Sequence, residues 1–135
     1  MGFRGTTRSS SQTTLTLKQE FNDPIPTGTK VQATVYVRSL RSGFFTSNTF
    51  SFKLFIDNTQ VGTTYVPSMT NNGVFFQIGT TGLSTYTLGA TPGNRHTIRL
   101  EVMTSGQSSA DNNIFYADDF VFKAVSAANG LPACA

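Results

Sequence analysis

The sequence predicts an all-β fold, an antiparallel sandwich or barrel of about eight strands, on three observations. Ser and Thr make up about a quarter of the 135 residues, Phe occurs 12 times and only 13% of residues are charged; β-branched and aromatic residues favour pleated strands. Several segments alternate apolar and polar residues, the period of a half-buried strand. These segments recur along the chain with turn residues between them and no amphipathic helical pattern, which is typical of a sandwich or barrel.

Four strands are predicted in the first half of the chain. The first runs over Gln12–Phe21, with Leu15, Leu17 and Phe21 on its inward face. The second, Lys30–Ser39, sends four residues inward: Val31, Ala33, Val35 and Val37. After a loop, the third buries Phe50, Phe52, Leu54 and Ile56. Asp57 and Asn58 supply turn residues, so Gln60–Val66 is the return arm of a hairpin.

Four more strands are predicted in the second half. Two are short, Val74–Ile78 and Ser84–Leu88. The strand Arg95–Met103 buries Ile98, Leu100 and Val102, and the last runs from Ile114 to about Val125. The predicted organisation is a flexible segment 1–11, one sandwich domain 12–125 and a tail 126–135. Cys134 in that tail is interpreted as a disordered thiol, with an intermolecular disulfide as the alternative.

Charge and motif content argue against several functions. The net charge is +3, but the 10 Lys and Arg are scattered without a run of three, so no nucleic-acid partner is predicted. No apolar stretch approaches the roughly 20 residues that span a bilayer, so no membrane insertion is predicted. His96 is the one histidine, without a nucleophile motif, and nothing among the seven acids selects a catalytic pair. We therefore expect no catalytic residues and no enzyme activity.

One segment carries a family resemblance. Ile114-Phe-Tyr-Ala-Asp-Asp-Phe-Val-Phe122 resembles the closing strand of galactose-binding-like jelly rolls, the carbohydrate-binding-module type found in secreted glycoside hydrolases and related extracellular proteins. Three further segments fit in order, at Leu15–Gln19, Gly28–Val37 and Ile56–Gly62. The resemblance implies a jelly roll of about eight strands. It also implies a noncatalytic, lectin-like module of a larger secreted, cell-surface or cell-wall protein, with a polysaccharide or glycan as partner.

The candidate ligand-binding residues point outward from three predicted strands. If the second, third and seventh strands share one sheet, six side chains converge, with Phe44 of the loop after the second strand nearby: Tyr36, Arg38, Lys53, Phe55, Arg99 and Glu101. Aromatic rings flanked by charged hydrogen-bonding groups suit a saccharide. The alternative is a solvated sheet face with cross-strand ion pairs. Exposed, Phe44 and Phe45 would form a contact patch; turned inward, they would close the sandwich end.

Asp118 and Asp119 form the candidate metal site. Neighbours on a strand point to opposite faces unless a bulge intervenes. The resemblance implies a structural calcium held by strand carboxylates and backbone oxygens. Ca²⁺ takes six to eight oxygens, and Asp118 or Asp119 with Glu20 or Asp111 could supply a few of them. The alternative role is acceptance of backbone N–H bonds. No other cofactor is expected.

Two alternatives remain open at this stage. The first is a structural or adhesive module that binds proteins or itself, through the same face or through Phe44 and Phe45, without binding glycans. The second concerns the fold, a trimeric jelly roll of the complement or tumour-necrosis-factor type.

Overall fold

The structure is a computed structural model that describes residues 2–7, 13–41, 49–67, 73–105 and 113–127. Four residues of the sequence predictions, Phe44, Phe45, Asp111 and Cys134, lie outside the described residues. The described part of the chain contains nine β-strands and a short 3-10 turn at Pro92–Asn94, and no α-helix. The strands are β1 (Phe3–Thr7), β2 (Thr13–Phe21), β3 (Lys30–Arg41), β4 (Thr49–Ile56), β5 (Thr59–Tyr65), β6 (Phe76–Gly79), β7 (Tyr86–Thr87), β8 (His96–Ser105) and β9 (Asn113–Ser126).

The strands form two antiparallel sheets. Sheet A has the order β1-β9-β3-β6, with β7 also paired to β3, and sheet B has the order β2-β8-β4-β5. The chain therefore pairs early strands with late ones, β1 with β9 and β2 with β8, around the β4–β5 hairpin. This nested order is that of a jelly roll. The prediction of an all-β, antiparallel jelly-roll sandwich is confirmed.

One strand differs from the sequence prediction. Residues 3–7, which fall in the predicted flexible segment 1–11, form β1 and pair with residues 113–117 of β9. The sequence pattern did not predict this strand, because Phe3 is the one large apolar side chain in its stretch of Gly, Thr and Arg. An edge strand is specified mainly by its partner's backbone, so it needs little hydrophobic patterning of its own.

The core lies between the sheets and consists of the residues that alternate inward. All the inward residues predicted for β3 and β4 are fully buried, and Leu15, Leu17 and Phe21 of β2 pack against them. Phe115 of β9 meets Phe50 and Phe52 edge to face, at 6.4 and 6.3 Å between ring centroids. Such aromatic contacts stabilise beyond the area they bury. They fix β9 of sheet A over β4 of sheet B.

Two chain features lie at the same end of the sandwich, since Phe21 pairs with His96 and His96 contacts Asp57. Phe21 of β2 stacks on Phe122 of β9 at 4.5 Å, which joins the sheets. Asp57 and Asn58, at the tip of the β4–β5 hairpin, both have positive φ, the backbone that a two-residue primed turn requires and that Asp and Asn tolerate. Among the described residues, no helix is long and apolar enough to cross a membrane.

Candidate functional site

The predicted ligand-binding residues lie on two opposite faces of the molecule. Tyr36 and Arg38 are on β3 in sheet A, whereas Lys53, Phe55, Arg99 and Glu101 are on β4 and β8 in sheet B. The condition for convergence, that the three strands share one sheet, is not met, because the jelly-roll path takes the chain from one sheet to the other between β3 and β4. Phe44 lies outside the described residues. The two outward faces are therefore separate candidates.

On the outer face of sheet B, Arg99 contacts both the Phe55 ring and the Glu101 carboxylate. The guanidinium of Arg99 lies 4.3 Å from the centroid of the Phe55 ring. Arg99 also lies 3.7 Å from the carboxylate of Glu101, which stands opposite Lys53 in the β4–β8 register. The Phe55 ring is covered by the Arg99 cation, and that cation lies beside the Glu101 carboxylate on the same face. This is the arrangement that the solvated-face alternative describes.

The outer face of sheet A exposes two aromatic rings side by side. Tyr36 is 37% exposed and Phe75 42% exposed, and both line one pocket. Tyr36 points outward because it alternates with the buried Val35 and Val37. Phe75 immediately precedes β6, whose pairing with β3 holds it in place. A backbone hydrogen bond of 2.7 Å from Gly73 N–H to the Ser39 carbonyl fastens the preceding turn to the same strand.

Arg38 fixes the position of Phe75 rather than facing open solvent. Its guanidinium carbon lies 4.8 Å from the Phe75 ring centroid and 4.2 Å from that of Tyr116 on β9. Its Nε is buried and has no hydrogen-bond partner among the described residues. A guanidinium between two aromatic faces is stabilised by cation–π attraction. Arg38, on β3, thus contacts residues of β9 and of the segment just before β6, so the three segments form one surface.

A β-bulge brings the two aspartates to this surface. Thr34 pairs with Val121 and Tyr36 with Asp118, so Asp119 and Phe120 stand opposite Val35 alone. Asp119 has φ of 53°, a left-handed conformation that Asp adopts more readily than most residues. Its N–H donates to Asp118 Oδ1 at 2.8 Å. Both aspartates consequently line the pocket with Tyr36 and Phe75, although neighbours on a regular strand would point apart.

The resulting pocket, which we call the face pocket, has a volume of about 250 Å³ and is lined by Tyr36, Phe75, Asp118 and Asp119. It is smaller than the roughly 300–1,000 Å³ of typical ligand cavities, so it takes part of a ligand rather than enclosing one. Ring faces pack on apolar C–H surfaces, and ionised carboxylates accept strong hydrogen bonds. Together they suit a flat ligand with hydroxyl or amine donors at its edge.

The metal candidates fit calcium poorly. Within the described ranges, no group of three or more His, Cys, Asp or Glu side chains comes together. Glu20 is on β2 in sheet B and pairs with Lys18 at 3.1 Å, while Asp118 and Asp119 are on β9 in sheet A. Asp111 lies outside the described residues. Asp118 accepts a backbone N–H, the alternative role, and the two carboxylates alone supply at most four of the six to eight oxygens that Ca²⁺ takes.

His96 is buried in a structural contact. It is 1% exposed, its Nδ1 lies 2.5 Å from Asp57 Oδ2, and its Nε2 lies 3.1 Å from the Ile25 carbonyl. The Asp57 carboxylate and the Ile25 carbonyl are both acceptors, and a ring nitrogen that carries a hydrogen donates to the one it faces. The other oxygen of Asp57 accepts the Thr97 N–H at 2.8 Å. His96 thus ties the β4–β5 turn to the segment that follows β2.

Sequence reasoning missed Phe75 and Tyr116 as site residues. An apolar run covers Val74, Phe75 and Phe76. Strand alternation must leave at least one of these side chains exposed, and this pattern indicates an exposed ring. Tyr116 carried a weaker signal, since its role depends on the β3–β9 pairing that places it opposite Arg38. In comparisons with known proteins, no family model, no curated protein and no solved structure matches this chain.

Proposed function

We propose that this domain is a noncatalytic carbohydrate-binding module, and that the face pocket is its glycan site. The carrying observation is the meeting of two exposed rings, Tyr36 and Phe75, with two carboxylates, Asp118 and Asp119, in one shallow pocket. The resemblance of the closing strand to galactose-binding-like jelly rolls supports the same function, and with it a secreted or cell-surface location.

The chemistry of the pocket selects the class of sugar. Rings pack on the C–H face of a pyranose, and carboxylates accept hydrogen bonds from its hydroxyls. A polyuronate would bring its own carboxylates next to Asp118 and Asp119, and like charges at short range repel. The proposed ligand is therefore a neutral or amino sugar at the end or along the side of a polysaccharide chain.

The placement of the carboxylates supports binding rather than hydrolysis. Glycosidases set two carboxyl groups on either side of the scissile bond, roughly 5–9.5 Å apart. Asp118 and Asp119 are successive residues of one strand and approach a ligand from the same side. One of them is also engaged by its neighbour's N–H. The pair is suited to orient hydroxyl groups.

A glycan array with the purified domain, followed by calorimetry with the ligand found, tests the proposal. Tyr36→Ala removes an exposed ring, a loss of about 0.5–1.5 kcal/mol beyond contact area. Asp119→Asn weakens a charged acceptor, and hydrogen bonds to charged groups contribute roughly 1.5–3 kcal/mol. The double variant should bind at least about ten-fold more weakly. Its melting temperature should change little, because both side chains are exposed.

Phe55→Ala is the matched control, since it removes a ring from the outer face of sheet B. It should leave the affinity unchanged. Binding that is lost with Phe55→Ala and kept in the Tyr36 and Asp119 variant would move the site to sheet B. An array without any glycan bound would reject the proposed function.

A second candidate function is protein adhesion or self-association. Four apolar side chains near the start of β6 are exposed: Val66, Val74, Phe75 and Phe76. Phe76 stacks on Tyr65 at 4.2 Å, which joins the end of β5 to the start of β6. Exposed apolar patches mark contact surfaces. Under this function, sedimentation equilibrium should show a concentration-dependent dimer or larger species that Phe76→Ser abolishes; a monomer at all concentrations would exclude self-association.

A further inference from the structure

We propose that a second cleft, between the open edges of the two sheets, is an additional binding site for neutral oligosaccharides. This edge cleft lies where β5 ends sheet B and β6 ends sheet A, and the loop 80–85 forms its outer rim. The proposal shares the ligand class of the proposed function but concerns different residues. The two can therefore fail separately.

The edge cleft has the size and charge of a site for an uncharged ligand. Its volume is about 450 Å³, within the roughly 300–1,000 Å³ of ligand cavities. The residues that line it include no Asp, Glu, Lys, Arg or His. The face pocket, in contrast, carries two carboxylates. A ligand without charge loses little on entering the edge cleft, whereas an ion would find no partner there.

The polar side chains of the edge cleft have unused hydrogen-bonding capacity. Thr63 stands on β5, Gln77 on β6, and Thr81, Ser84 and Thr85 on the rim loop. None of their side chains hydrogen-bonds to another described residue. Hydroxyl and amide groups both donate and accept, which matches the alternating donors and acceptors of sugar hydroxyls.

The rim loop is held in place before any ligand arrives. The Gln32 side-chain amide donates to the carbonyls of Gly82 and Ser84, each at 3.3 Å. The Thr80 hydroxyl accepts the Ala33 N–H at 2.8 Å and lies 3.2 Å from the Ala33 carbonyl. These bonds fasten both ends of the loop to β3. A preformed loop spares a ligand the entropy cost of ordering it.

Two glycines, Gly62 and Gly79, form the bottom of the edge cleft. A Cβ on Gly62 would lie 2.3 Å from the carbonyl oxygen of Gly79, and both residues have positive φ. The two sheet edges therefore approach through bare backbone. A side chain at Gly62 would collide with the opposite edge, whereas one at Gly79 would collide with the Ala33 carbonyl of the neighbouring strand β3.

An aromatic ring flanks the cleft at each end of its β6–β7 side. Phe76 is 49% exposed and Tyr86 is half-buried. Ring faces pack against the C–H surface of a sugar. The edge cleft thus combines ring surface with uncharged hydrogen-bonding groups.

The test is a titration followed by amide-resolved nuclear magnetic resonance. The probes are the neutral hexaoses of β-1,4-glucose, β-1,4-xylose, β-1,4-mannose and β-1,3-glucose, with hexagalacturonate as the anionic probe. At least one neutral hexaose should shift the amides of Thr81, Ser84 and Thr85. The double variant Thr81→Ala/Thr85→Ala removes two hydroxyls and should weaken that binding about ten-fold. Tyr36→Ala should leave it unchanged.

Several results would overturn the edge cleft. One is the absence of shifts at Thr81, Ser84 and Thr85 with every neutral hexaose, even where the face-pocket amides respond; the proposed function then survives alone. Another is a response to hexagalacturonate only. A third is binding of equal strength in the double variant. If that variant unfolds, Thr63→Ala on the opposite wall replaces it, with the same expected weakening. Shifts at the rim loop without shifts at Tyr36 and Asp119 would support the edge cleft and reject the face pocket.

Discussion

His96 and Asp57 show how a polar pair is held inside a β-sandwich. The histidine side chain is fully buried and the aspartate side chain is 18% exposed, so the imidazole has little access to water. Its two polar contacts and the hydrogen bond from Thr97 N–H to Asp57 replace the solvent that burial removes. A buried polar group is tolerated when its partners are complete. The pair is consequently a structural joint between three segments.

Breaking this joint should destabilise the fold. Removing Asp57 takes an acceptor from the buried imidazole and from the Thr97 N–H, and a buried polar group left unpaired costs about 1–3 kcal/mol. Asp57→Ala should therefore lower the free energy of unfolding by roughly that amount in urea denaturation. Glu20→Ala is the control, because its ion pair with Lys18 is exposed and exposed pairs contribute about 0–1 kcal/mol. Equal effects of the two substitutions would contradict the structural role of the pair.

At the residue scale, the sequence correctly predicted which side chains are buried but did not predict which side chains contact one another. Alternation correctly placed Val35 and Val37 inside and Tyr36 outside. It carried no information that Phe75 and Tyr116 enclose Arg38, because those contacts depend on pairing between β3, β9 and the approach to β6. For this reason Arg38 is a positioning residue of the face pocket, and trimming it would disturb Phe75 as well.

Among the elements, the close approach of β5 and β6 depends on two glycines. Gly62→Ala places a Cβ against the Gly79 carbonyl, whereas Gly82→Ala, also at positive φ, meets nothing within 4 Å. Both substitutions strain the backbone, but only the first adds a collision. Overpacking typically costs about 1–3 kcal/mol, so Gly62→Ala should be less stable than Gly82→Ala by that margin in chemical denaturation. Equal stability would mean that the sheet edges separate easily.

Element-scale predictions were accurate where a strand has one apolar face. All eight predicted strands are present, with ends shifted by a few residues. The assignment of strands to sheets was not predictable from alternation, because a strand's pattern says which side is buried and not which neighbour pairs with it. Alternation likewise did not predict the bulge at Asp119; it indicated only that neighbouring aspartates point to opposite faces unless a bulge intervenes. One extra residue on β9, set by the β3 register, decides where both carboxylates lie.

At the scale of the whole molecule, the effect of calcium on the stability of the fold can be predicted. The described residues offer two carboxylates at the bulge, without a third Asp, Glu, His or Cys side chain beside them. We therefore expect the melting temperature to be the same in calcium and in EDTA. A ligand at 100 times its dissociation constant would add about 2.7 kcal/mol, a shift that calorimetry detects. A lower melting temperature in EDTA, abolished by Asp118→Asn, would instead establish the calcium site.

The position of β9 has a consequence for how the chain reaches its fold. It is the last described strand, yet it lies in the interior of sheet A, between β1 and β3. Phe3 pairs with Ala117, which lies far along the chain. Such long-range pairs give a high contact order, and a high contact order slows folding. During synthesis on the ribosome, β3 has an unpaired edge until β9 emerges, and such edges promote aggregation. We infer that sheet A assembles late, and that a chaperone which shields extended edges would raise the yield of folded protein.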